Sequence, residues 1–116
     1  MNNETKAIKD YLAYIPMRLA YLKMFNVSPN HNEYKYYLKL YESIKEYGKR
    51  HKVFIYYITS KINIEKYKEF YKVSERTSYR IFSKQRKEIL EFIMQKETEL
   101  SKIYPFENFD LKELQA

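Results

Sequence analysis

Apolar side chains return every three or four residues along most of this chain, the period of a helix buried along one face. Between residues 4 and 25 the stripe is Ile8, Leu12, Ile15, Leu19 and Leu22. Pro16 interrupts it. A proline lacks the backbone donor and crowds the preceding turn, so a kink or a split into two short helices is expected there. Residues 26–32, rich in Asn and carrying Ser28-Pro29, read as a loop. A second helix is expected over 33–47, with Tyr34, Tyr37, Leu38, Tyr41 and Ile44 as its stripe. Gly48 stands where a left-handed cap would end it.

Residues 51–60 give a third helix with Val53, Phe54, Tyr57 and Ile58 turned inward. That run is β-branched and aromatic enough for a strand, but its spacing and its neighbours favour helix. Asn63 offers a capping oxygen to a fourth helix over 64–71, and Ser74 offers one to a fifth. No Pro or Gly occurs from Ser74 to Tyr104, so the fifth helix can run unbroken until Pro105. The expected fold is all-α with about five helices, a helix-turn-helix whose second, recognition helix is extended to the C-terminal side. Its parts are an N-terminal helical pair (1–48), a helix-turn-helix unit (49–104) and an acidic aromatic tail (105–116), in one compact domain.

Composition narrows the chemistry. One Gly in 116 residues leaves no Gly-rich phosphate loop, and the absence of Cys leaves no thiol nucleophile, disulfide scaffold or thiolate zinc site. His31 and His51 lack carboxylates at ligand spacing, so neither a metal site nor an enzyme is expected, and no cofactor. No apolar run reaches the ~18 residues of a membrane span, and a cytoplasmic location is the expectation. The net charge of +7 is unevenly spread: +2 over residues 1–48, +9 over 49–87 and −4 over 88–116. A polyanion would therefore meet the middle third.

That third contains the motif. In NIEKYKEFYKVSERTSYRIFSKQRK, Asn63 to Lys87, two capped helical patterns flank a turn at Lys72-Val73. Ile64, Tyr67 and Tyr71 would face Ser78, Ile81 and Phe82 across it, with Val73 plugging the angle. VSERTSYR at Val73–Arg80 resembles the start of the recognition helix in bacterial regulators with an ISERTVYR-like sequence. The longer stretch Arg50–Lys87 is similar to the fourth region of sigma factors and to phage ArpU-type transcriptional regulators. It departs from their pattern at Lys68, where they carry a small residue, and at Lys72, where they often carry Gly. The resemblance implies a transcriptional role in a phage or mobile element, and with it a bacterial host cell.

With Ser78 and Phe82 inward, the outward face of the fifth helix carries Glu75, Arg76, Tyr79 and Arg80 as candidate base readers. Arg suits guanine because its planar fork donates to two acceptors at once. Ser74, Ser83, Lys84, Arg86, Lys87, Lys49, Arg50 and Lys52 are candidate phosphate contacts, which position a protein without reading sequence. Tyr36, Tyr56 and Tyr79 are candidates for base stacking. Further along, Ile89, Phe92, Ile93, Leu100 and Ile103 form a seam that serves either packing within the chain or a homodimer. The expected partner is double-stranded DNA. The rival readings are an adaptor docking on RNA polymerase or another regulator through the tail residues Phe106, Phe109, Leu111 and Leu114, and the small subunit of a phage DNA-packaging machine.

Overall fold

The computed structural model describes residues 3–107, which form five helices and no strand. They are α1 (Asn3–Met24), α2 (Asn32–Arg50), α3 (Lys52–Ile58), α4 (Ile64–Tyr71) and α5 (Glu75–Ile103). The all-α expectation holds, and α4 and α5 begin where Asn63 and Ser74 cap them. The Lys66 amide donates to Asn63 Oδ1 at 3.0 Å, and the Thr77 amide donates to Ser74 Oγ at 3.3 Å. Phe109, Leu111 and Leu114 lie outside the described residues.

Three expectations are corrected. α1 is not split into two short helices: it runs unbroken through Pro16, which is exposed, so the missing hydrogen bond falls on the solvent side of the helix. Gly48 is no cap; it lies inside α2, and its φ is not positive. The buried face of α2 is also rotated from the expected stripe. Glu33, Tyr34, Tyr36, Leu40 and Tyr47 are buried, while Leu38 and Tyr41 are exposed. Tyr36 is therefore core and not a stacking surface. The N-cap of α2 is His31, whose Nδ1 accepts from the Glu33 amide at 3.1 Å.

The core has two parts, and α1 and α5 pass through both. Ile8, Tyr47, Phe54, Ile58, Tyr67, Phe82, Ile89 and Ile93 make the larger cluster. Ile15, Leu19, Tyr36, Leu40 and Leu100 make the smaller. Tyr11 and Ile44 pack against both and join them. This decides the apolar seam of α5: Ile89, Ile93 and Leu100 are buried within the chain, and Phe92 packs against Tyr47 with ring centres 4.6 Å apart. The seam is thus an internal clamp, and its buried residues are not free to form a dimer. Ile103 is its exception, being 57% exposed. Phe106 also folds back, with its ring 5.1 Å from Tyr36.

At the α1–α2 end a charged pair is enclosed. Arg18 donates from Nε and Nη2 to Glu33 Oε1 at 2.8 and 2.6 Å, and the Glu33 side chain is 1% exposed. Glu33 sits in the first turn of α2, where the helix dipole favours a carboxylate. The Arg18 guanidinium also lies 4.7 Å from the centre of the Tyr21 ring.

Candidate nucleic-acid interface

The turn between α4 and α5 is set by Lys72, which adopts the left-handed conformation with φ 53° and ψ 46°. This is the position where the resembling regulators often carry Gly, the residue that takes this conformation without steric cost. Behind the turn, α4 and α5 close on a small residue: Ser78 is fully buried, and its Oγ donates to the Glu75 carbonyl at 2.6 Å. Lys68 lies at the rim of α4, half-buried along its stem, and pairs with Glu65 at 3.1 Å.

A polar clamp fixes the two helices against each other. Tyr67 is fully buried, and its hydroxyl donates to Gln85 Oε1 at 2.5 Å. Gln85 Nε2 in turn donates to the Tyr71 hydroxyl at 2.7 Å. Burial, with Tyr71 and Tyr57 close by, pushes the Tyr67 phenol well above its ordinary range, so it remains a donor. Phe82 meets Tyr67 and Tyr57 edge-on, with ring centres 6.1 and 4.9 Å away. Sequence periodicity located these rings, but Gln85 read only as one more polar residue on a helix.

Of the candidate base readers, Glu75, Arg76, Tyr79 and Arg80 are all exposed, Tyr79 by 47%. Arg80, Lys84 and Lys87 join Tyr79 and Ser83 around one shallow concavity of about 440 Å³ on α5. Among the described residues, no ion pair engages Arg76, Arg80, Lys84 or Lys87. On the other side of Tyr79 lies a larger cleft of about 860 Å³, lined by Tyr57, Ser60, Lys61, Asn63, Ser83 and Arg86 among others. Tyr79 and Ser83 line both. Lys61 and Ser60 enter the surface this way, brought beside α5 by the short link between α3 and α4. Lys61 carried no sequence signal beyond its place in the basic middle third.

The remaining phosphate candidates separate. Ser74 is occupied as a cap: its Oγ also donates to Thr77 Oγ1 at 3.1 Å. The Arg86 side chain is turned inward and only 15% exposed. It stands over Phe82, and its Nε lies 3.1 Å from Glu4 Oε2, close enough for an ion pair though not aligned as a hydrogen bond. It ties α1 to α5 rather than facing solvent with Lys87. Lys49 and Lys52 line a different groove, of about 560 Å³ between α1, α2 and α3, and Lys49 pairs with Glu46 at 3.3 Å. Arg50 is exposed at the end of α2. Lys61 lines both this groove and the cleft beside Tyr79, and links the two basic surfaces.

Among the described residues no three His, Asp or Glu gather as metal ligands, and no helix is long and apolar enough to cross a membrane. No protein-family model matches the chain, and no significant match was found among curated proteins or solved structures.

Proposed function

We propose that this protein binds double-stranded DNA with α5 in the major groove, as a transcriptional regulator of a phage or mobile element. One observation carries the reading. Arg76, Arg80, Lys84 and Lys87 follow one another at steps of four, four and three along one exposed face of the leading half of α5, without ion pairs among the described residues, while Arg86 on the same helix turns inward to Glu4. Unpaired cations of one sign on a rigid helix repel each other, and phosphates and guanine edges relieve that repulsion. Arg76 and Arg80 supply the base contacts, each discriminating by ~1–3 kcal/mol. Lys84, Lys87 and Lys61 hold the backbone.

The test is a binding titration with DNA selected from random sequence. Arg76→Ala with Arg80→Ala should abolish the preference for selected over random DNA. Lys87→Ala should weaken both alike and lower the salt slope by about one unit. A double variant that retains the preference, or a wild-type chain that selects no sequence, sinks the groove-reading assignment.

A second reading, an adaptor that docks on RNA polymerase or another regulator, is favoured by the groove holding Lys49 and Lys52. Its floor is apolar, with Leu12, Ile15, Ile44 and Ile55 beneath a lysine rim. DNA backbone has no use for such a floor; an acidic amphipathic segment does.

A further inference from the structure

We propose that the cleft between the start of α1, the link from α3 to α4, and α5 is a binding site for a mononucleotide, a phosphate monoester carrying a planar base. At about 860 Å³ the cleft has the size of a small-molecule site and exceeds what a bare inorganic anion fills. Its lining divides into two kinds of chemistry. Tyr57, Tyr79 and Phe82 supply rings, with Ile62 beside them. Lys61, Arg86, Ser60, Asn63 and Ser83 supply cations, hydroxyls and an amide. Among the described residues no carboxylate lines it. A cationic ligand would meet only like charge there. A wholly apolar one would cover Lys61 and Arg86 without compensation.

The charged half is already drawn partly out of water. The Arg86 side chain is 15% exposed, and its Nε is buried without an aligned hydrogen-bond acceptor. Its ion-pair partner among the described residues, Glu4, is 66% exposed and stands outside the lining. A guanidinium in that state gains from an anion inside the cleft, because charge-assisted hydrogen bonds are the strong ones. Lys61 has no ion pair among the described residues. Lys9 reaches the same rim, its Nζ donating to Ser60 Oγ at 3.5 Å. Lys9, Lys61 and Arg86 together match a phosphate monoester, of charge about −1.5 to −2 at pH 7, better than a single carboxylate.

The link that carries Ser60 and Lys61 is tightly closed: the Lys61 and Ile62 amides both donate to the Tyr56 carbonyl, at 2.8 and 3.2 Å. Ser60 holds a left-handed backbone there, with φ 62°, a costly conformation that collects at ligand sites. On the ring side, Tyr57 meets Phe82 edge-on with centres 4.9 Å apart. Burial, with Tyr79 close by, raises the Tyr57 phenol above its ordinary range, so it stays a donor to an anion. Tyr79 is 47% exposed and offers its ring for stacking, which any base can satisfy because every base has a π-face.

The test is a calorimetric titration of the full chain, at about 0.15 M salt, with the four nucleoside 5′-monophosphates. At least one should bind with a dissociation constant below about 1 mM. The matching nucleoside and inorganic phosphate should each bind at least about tenfold more weakly, since each lacks half of the match. Lys61→Ala should weaken binding about tenfold. Lys23→Ala, an equal change of charge in the last turn of α1, should leave it unchanged. Amide NMR shifts on titration should centre on Thr5, Ser60, Ile62 and Ser83, which locates the site even if a variant fails to fold. The cleft shares Lys61, Tyr79 and Ser83 with the surface assigned to DNA, but the titration contains no DNA. Its failure therefore leaves the reading of α5 standing, and failure of that reading leaves the cleft. The proposal is overturned if none of the four binds at several millimolar, if the nucleoside or phosphate binds equally well, or if Lys61→Ala binds as wild type does. It is also overturned if duplex DNA shifts these amides and no mononucleotide does, which would assign the cleft to the DNA backbone.

Discussion

Where α1 meets α2, charge is enclosed. Arg18 gives two donors to Glu33, whose side chain is 1% exposed, and lies over Tyr21. Where α5 begins, charge is left open, with Arg76, Arg80, Lys84 and Lys87 exposed and free of ion pairs among the described residues. The same residue type thus meets two fates. A buried guanidinium must have its partner, because an uncompensated buried charge is strongly destabilising. An exposed one can be left without a partner at little cost to the fold, and that leaves it available for a ligand. Arg86 sits between these extremes: it carries the sequence signature of the open set but is held by Glu4 and Phe82.

The largest effect is expected from breaking the enclosed pair. Arg18→Ala leaves the Glu33 carboxylate buried without its cation and should cost about 3–5 kcal/mol of stability. Replacing both partners with apolar residues, Arg18→Met with Glu33→Leu, should cost much less than the single change. Thermal or urea unfolding of the three chains checks this. If the single and double variants lose equal stability, the pair is not the source of the penalty. By contrast, Arg76→Ala with Arg80→Ala should change stability by no more than about 0.5 kcal/mol per site, the usual scale for exposed positions.

A middle effect is expected at the clamp inside the motif. Gln85→Leu removes the acceptor of the Tyr67 hydroxyl and the donor to Tyr71 in one step. Leaving a buried hydroxyl unsatisfied costs about 1–3 kcal/mol. On the proposed DNA-binding function, affinity should fall as well, although Gln85 is not assigned to DNA, because the clamp fixes α5 against α4. Unchanged affinity at unchanged fold would show that the clamp does not set the angle of the motif.

Much of the architecture was legible in the chain because its signals are local. A capping oxygen acts within three residues, so Asn63 and Ser74 marked the starts of α4 and α5. The buried face of α2 was not legible. Tyr34, Tyr36, Tyr37, Leu38, Leu40 and Tyr41 put apolar rings and chains on nearly every side of that helix. Contact with α1 and α5 selects the face that holds Tyr36 and Leu40, and Glu33 is buried only because Arg18 reaches it. The candidate site divides similarly. Arg76, Tyr79 and Arg80 follow from the inward position of Ser78, since residues one or two positions away turn off its buried face. Arg86 turning inward depends on Glu4, 82 positions earlier. No local pattern carries such a contact.

The smallest effect concerns the turn itself and sharpens the comparison at the open end. Lys72 holds a left-handed conformation, φ 53°, that costs an ordinary residue roughly 1–2 kcal/mol. Lys72→Gly removes that strain but adds freedom to the unfolded chain, a loss of roughly 0.5–1 kcal/mol. The balance predicts a net gain of about 0.5–1 kcal/mol, measurable as a higher urea midpoint at unchanged slope. Lys72 is exposed and has no ion pair among the described residues, so no partner is lost to offset the gain. The same variant asks whether the lysine serves DNA. If Lys72 only forms the turn, the more stable protein binds as wild type does with the same salt slope. If it also holds a phosphate, the slope falls by about one unit while stability still rises. A loss of stability would mean that the left-handed turn is not strained, and that Lys72 is held there by a contact worth more than the strain.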